Sequence, residues 1–91
     1  MKVTFTFKGS IFNQSEDIKM DLSEQTTIIQ ALKLLTKNNP KLLPLLLKDG
    51  VIRSDILVIV DKMDVISMNL LDMPLTENRL VAILPLAHGG Y

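Results

Sequence analysis

LVAILPLAHGGY, residues 80–91, joins two kinds of chain. Leu80 to Leu84 reads as a short apolar strand, and Pro85, which has no amide hydrogen to give a ladder, stops it. Leu86 to Tyr91 has no packing period and reads as a flexible tail. A strand that runs out of a core into Gly89-Gly90 has a use that ordinary frayed ends lack. Glycine has no Cβ, so its backbone threads a narrow channel, and a glycyl carboxyl is the least hindered one for activation and attack by a nucleophile. Fully extended, Leu86 to Gly90 reaches about 17 Å, at roughly 3.3 Å per residue. On this stretch alone a plain chain end with two chance glycines stays open. If the tail is to be presented, the strand before it must be held in a sheet, and the rest of the chain has to supply that sheet.

Working back to the start, Val3 to Lys8 alternates strictly, with Val3, Phe5 and Phe7 on one face and Thr4, Thr6 and Lys8 on the other. A period of two in β-branched and aromatic residues marks a half-buried strand. Gly9 to Ser15 is turn-like. Ile18, Met20 and Leu22 then alternate with Lys19 and Asp21, completing an antiparallel hairpin with a long loop. From Ile28 the period changes. Ile28, Ala31, Leu32 and Leu35 share one helical face, opposite Gln30, Lys33 and Lys37. Thr27 and Gln30 have capping-box spacing, so the helix starts after Thr27. Asn38, Asn39 and Pro40 end it, through the tolerance of asparagine for left-handed backbone and the effect of proline on the residue before it.

Lys41 to Lys48, KLLPLLLK, reads as a short apolar turn closing one end of the core, with a turn at Asp49-Gly50. Ile56 to Val60, ILVIV, is apolar on both faces and bounded by turn residues, as a central strand is. A turn at Asp61 to Asp64, a weak edge strand at Val65 to Met68, an irregular Asn69 to Pro74 and a polar turn at Thr76 to Arg79 complete the chain. The order predicts an α+β fold: a mixed sheet with one main helix across one face, the β-grasp arrangement of ubiquitin. Residues 1–85 form the domain and 86–91 the tail. The first and last strands lie side by side in the middle of the sheet. Val3, Phe5, Phe7, Ile28, Leu32, Leu35, Val58, Val60, Val81 and Ile83 form the predicted core. Alternation then puts Leu57, Ile59, Ala82 and Leu84 on the uncovered sheet face, with Leu86 continuing the line, as a patch for a partner.

Composition removes several functions. Ten basic and ten acidic side chains cancel without a block of like charge, which argues against a nucleic-acid surface. There is no cysteine, hence no disulfide, thiolate metal site or cysteine nucleophile. The N-terminus alternates instead of showing a signal-peptide core, and no run approaches the roughly 20 apolar residues that span a bilayer. A cytoplasmic monomer is expected, with no cofactor, no membrane contact and no direct binding of nucleic acid. His88, the single histidine, has no serine and acid arranged with it for nucleophilic catalysis. Asp61, Asp64 and Asp72 read as solvated turn residues rather than a metal site.

The residues now in view resemble a known family. Ile56 to Asp61 (ILVIVD), Asp64, Leu71-Asp72, Leu75, Val81 and the ending Leu86-Ala87-His88-Gly89-Gly90 are similar to the ubiquitin-related modifier family. From Arg53 to Gly90 the resemblance runs without a gap. The N-terminal half resembles the family in the order of its elements. The resemblance implies a protein that is not an enzyme but a co-substrate. An ATP-dependent activating enzyme of the ubiquitin-activating kind would adenylate the carboxylate of Gly90. Sulfur transfer would give a thiocarboxylate there, for transfer-RNA thiolation by a thiolating enzyme, or the acyl group would pass to a lysine of a target protein. Leu86, Ala87, His88, Gly89 and Gly90 would be the recognised tail. The family's active form ends at the second glycine, whereas Tyr91 follows here, so the sequence reads as a precursor that a peptidase trims between Gly90 and Tyr91. Two alternatives accompany this reading: a dedicated sulfur carrier for molybdopterin or thiamine synthesis, and a β-grasp module that binds partners without a covalent bond.

Overall fold

The computed structural model describes residues 1–86. Strand β1 (Lys2–Phe7) pairs antiparallel with β2 (Ile18–Asp21). Helix α1 (Ile28–Asn38) follows, then a 3₁₀ turn (Pro40–Leu42) and the four-residue α2 (Leu43–Leu46). Two short strands, β3 (Leu47–Lys48) and β4 (Val51–Ile52), form a separate hairpin. Strands β5 (Ile56–Val60), β6 (Met63–Asp64) and β7 (Arg79–Pro85) complete the chain. The main sheet runs β2-β1-β7-β5-β6, with β1 and β7 parallel and the other pairs antiparallel. The first and last strands therefore neighbour each other, as the alternation predicts, and β7 occupies the centre.

Local chemistry fixes the helix. The Thr27 hydroxyl accepts the Gln30 amide at 3.2 Å, and the Gln30 side chain accepts the Thr27 amide at 3.0 Å, a complete capping box. The next two amides, which no helix can satisfy internally, donate to the loop before β7: Ile28 to the Met73 carbonyl at 3.1 Å and Ile29 to Leu71 at 2.9 Å. The segment expected to be irregular thus serves as a lid on the helix start. At the other end Asn39 is not left-handed, as expected, but sits at φ −135°, ψ 75°. Pro40 excludes helical backbone from the residue before it. Both the amide and the side-chain nitrogen of Asn39 then donate to the Leu35 carbonyl.

Val3, Phe5, Ile28, Leu32, Leu35, Val58, Val60, Val81 and Ile83 are fully buried between α1 and the sheet. Phe7 departs from the expected core. It is half-buried at the end of β1, its ring tilted 56° against Phe12 at 5.8 Å between centroids. Phe12, on a 3₁₀ turn (Ser10–Phe12) in the loop after β1, is the residue that enters the core. Leu42, Leu46 and Leu47 close one end of the core, as the leucine-rich stretch suggests. The hairpin beyond them was not expected: Asp49 (φ 53°) and Gly50 (φ 78°) form a two-residue turn of the kind that matches strand twist. The weak strand also falls earlier than expected. Asp61 and Lys62 make the tight turn, Met63–Asp64 pairs back on β5, and Val65 turns inward to complete burial. Among the described residues no buried polar side-chain atom lacks a partner.

Candidate functional site

The end of β7 and the open face of the sheet are the features that could act. Strand β7 is held along its length on both sides, from Val3 opposite Arg79 to Phe7 opposite Ile83 on β1, and from Val60 opposite Val81 to Ile56 opposite Pro85 on β5. Successive residues of a strand send their backbone groups to alternate neighbours. The carbonyl of Ile83 faces β1, where it accepts the Lys8 amide at 2.9 Å. Pro85 faces the same side, where β1 has already ended, so its missing N–H deprives no acceptor of a partner. Leu86 faces β5 and donates its amide to the Asp55 carbonyl at 2.9 Å. The strand expected to stop at Leu84 thus runs one residue farther: Pro85 is the last residue of β7, and the ladder to β5 continues one residue beyond it.

Two contacts fix where the chain leaves. Gly9, at φ 123°, lies so close to Pro85 that a Cβ placed on it would stand 2.9 Å from the proline Cδ. On the other side, Asp55 carries a fork from Arg53, with Nε to Oδ1 at 2.9 Å and Nη2 to Oδ2 at 2.7 Å. Hydrogen bonding and charge from Asp55 raise the Arg53 pKa above its ordinary value. A third guanidinium nitrogen of Arg53, Nη1, donates to the Pro44 carbonyl at 2.9 Å, tying the exit to α2.

The patch read from alternation lies together on the sheet face opposite α1. Leu57 is opposite Leu84 and Ile59 opposite Ala82, all four half-buried, and Leu86 is 40% exposed. Leu80 belongs to the same row and is the most open of it, at 56% exposed. The sequence-based patch omits it, although the same period of two places it there. Thr4 and Thr6 flank the row on β1, opposite Leu80 and Ala82. The aliphatic surface thus follows β7 along its whole course to the exit. The three aspartates do not gather: Asp61 pairs with Arg79 at 3.0 Å, and Asp64 Oδ1 accepts the Ser67 amide at 3.2 Å. Among the described residues no group of acidic or histidine side chains could hold a metal ion. Ala87, His88, Gly89, Gly90 and Tyr91, which carry the expected tail recognition, attachment and processing, lie outside the described residues.

No protein-family profile matches the chain, and a search of curated proteins finds no match. Solved structures do match. SAMP1 from Haloferax volcanii superposes with a TM-score of 0.79 at 18% identity, covering 99% of this chain and 100% of that one. Urm1 from Trypanosoma brucei gives 0.72 at 26% identity, over 98% of this chain and 95% of its own. A putative molybdopterin converting factor subunit 1 from Pyrococcus furiosus gives 0.70 at 14% identity, over 94% and 98%. These neighbours are ubiquitin-like β-grasp proteins of the sulfur-carrier and modifier kind, and the chain has their fold. The structures at 18% and 14% identity show the fold alone, and the 26% identity to the Urm1 reaches the superfamily and not a particular activity.

Proposed function

We propose that the protein is a cytoplasmic ubiquitin-like modifier and sulfur carrier that works through the carboxyl group of Gly90. One observation carries the reading: an aliphatic sheet face follows the central strand to an exit pinned at Gly9 and Asp55, and the sequence beyond that exit is Ala-His-Gly-Gly. The 26% identity to a Urm1 over nearly the whole chain favours the same reading.

The chemistry follows in three steps. A peptidase first hydrolyses the Gly90–Tyr91 amide, because the carboxyl of Gly90 is otherwise bonded to the Tyr91 nitrogen. An activating enzyme that docks on Leu57, Ile59, Ala82, Leu84 and Leu86 and receives the tail then brings ATP to Gly90. The carboxylate oxygen attacks the α-phosphorus, pyrophosphate leaves, and an acyl-adenylate remains. A nucleophile finally displaces AMP. Sulfur at the oxidation level of sulfide yields a thiocarboxylate, the form that supports transfer-RNA thiolation; a lysine amine yields an amide and releases a proton. The domain itself supplies docking and a fixed exit, and its partners supply the catalytic groups. From Leu86, the last pinned residue, the four residues to Gly90 reach at most about 13 Å. The adenylating centre must therefore lie within that distance of the docked sheet.

The test compares three purified forms: full length, ending at Gly90, and full length with Gly90→Ala. Each is incubated with ATP and an activating enzyme from the same cells, and adenylate or thiocarboxylate is sought by mass. The form ending at Gly90 reacts, and intact protein stays inert until trimmed. Activation with Tyr91 still attached would overturn the precursor step. No activation of any form would favour a non-covalent module, and a thiocarboxylate that supports only cofactor synthesis would mark a dedicated sulfur carrier.

A further inference from the structure

Net neutrality hides a segregation of charge. Gln25 to Lys48 contains Lys33, Lys37, Lys41 and Lys48 and no acidic residue. The lysines are four or more positions apart, so they form no block in sequence; Lys33 and Lys37 lie one turn apart on α1 and line one groove. All four are exposed, and no ion pair among the described residues includes any of them. The Lys37 position has a local reason, since a cation in the last turn complements the helix dipole. Lys41 likewise stands in the last turn of the 3₁₀ segment, whereas Lys33 lies mid-helix.

That groove, beside Lys33 and Lys37, is largely apolar. It has a volume of ≈ 400 Å³ and is lined by Lys33, Thr36, Lys37, Leu43, Leu47 and Gly50. Leu47 is buried in its floor, while Leu43 is 47% exposed and Val51, beside Gly50, is 65% exposed. The Thr36 hydroxyl donates to the Lys33 carbonyl at 3.0 Å, so the floor holds no unpartnered polar group. Lys41 and Lys48 stand in sequence beside the lining leucines. Asp49, in the turn next to Gly50, is the acidic residue adjoining it.

We propose that this groove binds a partner protein through an acidic segment carrying leucine-like side chains. Carboxylates on such a segment would meet lysines that have no internal counter-charge, and its aliphatic side chains would cover Leu43 and Val51. Nucleic acid fits less well, because its phosphates gain nothing from exposed leucine and the groove offers no aromatic or arginine surface for bases. A bilayer fits less well, because two exposed aliphatic side chains, Leu43 and Val51, make only a small surface for insertion. The groove lies on the α1 side of the sheet, away from Ile59 and Leu84. A partner held there leaves the open sheet face and the exit of β7 unobstructed, so one molecule can be bound at both places.

The test uses the full chain and a fluorescein-labelled synthetic peptide of leucines interspersed with glutamates. Its counterpart with lysine in place of glutamate is the control. Anisotropy should show binding of the acidic peptide only, weakened by added salt, with amide shifts on Lys33, Lys37 and Gly50 and none on Ile59 or Leu84. Reversing charge in the double variant Lys33→Glu, Lys37→Glu should weaken binding about tenfold or more, and Leu43→Ser should weaken it with the lysines intact. All three positions are exposed, and circular dichroism checks that the variants fold. Equal binding of the two peptides, unchanged affinity in the charge-reversed variant, or shifts confined to the sheet face would overturn the proposal. Binding of phosphatidylserine vesicles or transfer RNA without binding of the peptide would overturn it too. None of these measurements depends on Gly90, so this proposal and the activation of the tail stand or fall separately.

Discussion

Gly9 packs its backbone onto the ring of Pro85, with room for no side chain between them: an added Cβ would lie 2.9 Å from Cδ and 3.1 Å from Cγ. The contact joins the loop after β1 to the last residue of β7, and so joins the beginning of the domain to the place where its tail departs.

Gly9→Ala should therefore destabilise the domain by about 1–3 kcal/mol, since a φ of 123° is foreign to alanine and the methyl group meets a rigid ring. Urea unfolding followed by circular dichroism measures it. Unchanged stability would mean that the loop moves off Pro85 without cost.

Phe5 and Phe7 share a face of β1 but differ in environment. Phe5 is fully buried, and Phe5→Ala should cost about 3–5 kcal/mol. Phe7 is half-buried against Phe12, and its truncation should cost clearly less. Thermal unfolding of the two variants ranks them, and an equal loss would contradict the placement of Phe12 as the residue that closes this end.

Leu86→Pro removes the amide donated to Asp55 and nothing else from the ladder. A net loss of about 0.5–1.5 kcal/mol is expected. Activation at Gly90 should slow by more than this predicts, because the exit loses its fixed direction and the docking face loses the Leu86 side chain. A kinetic assay of adenylation on protein trimmed at Gly90 reads the difference; equal rates would show that the pin does not guide the tail.

Ile59→Asp and Leu84→Asp place a charge on the open sheet face, where neither side chain is part of the core beneath α1. Each should weaken binding of the activating enzyme while leaving the domain folded. Calorimetric titration checks the affinity, and unaltered binding in both variants would remove the face from the mechanism. Leu80→Asp, farthest from the exit along the same row, should have the smallest effect.

Much of this was legible in the sequence because the signals were local and periodic. Thr27 and Gln30 mark a helix start by spacing alone, and the alternations at Val3 to Phe7 and Ile56 to Val60 fix which side chains turn inward. Pairs of residues carry no period, so spacing alone does not reveal the strands Leu47–Lys48, Val51–Ile52 and Met63–Asp64. Phe12 enters the core from a short 3₁₀ turn and Leu75 from irregular backbone, where burial depends on tertiary contacts that no spacing announces. Leu80 was within reach of the same alternation that revealed Leu84. The partner role of Gly9 was not, because a turn glycine and a close-packed glycine read alike until Pro85 is set beside it.

The central place of β7 also has a mechanical side. A motor pulling on the chain beyond Pro85 draws along the strand axis, and the hydrogen bonds to β1 and β5 lie across that axis. They are loaded together in shear and cannot be opened one after another from an edge. Forced extraction from this end must break two ladders at once, and its rate is set by the unfolding barrier rather than by equilibrium stability. The strand that delivers the tail thus resists being dragged out by it.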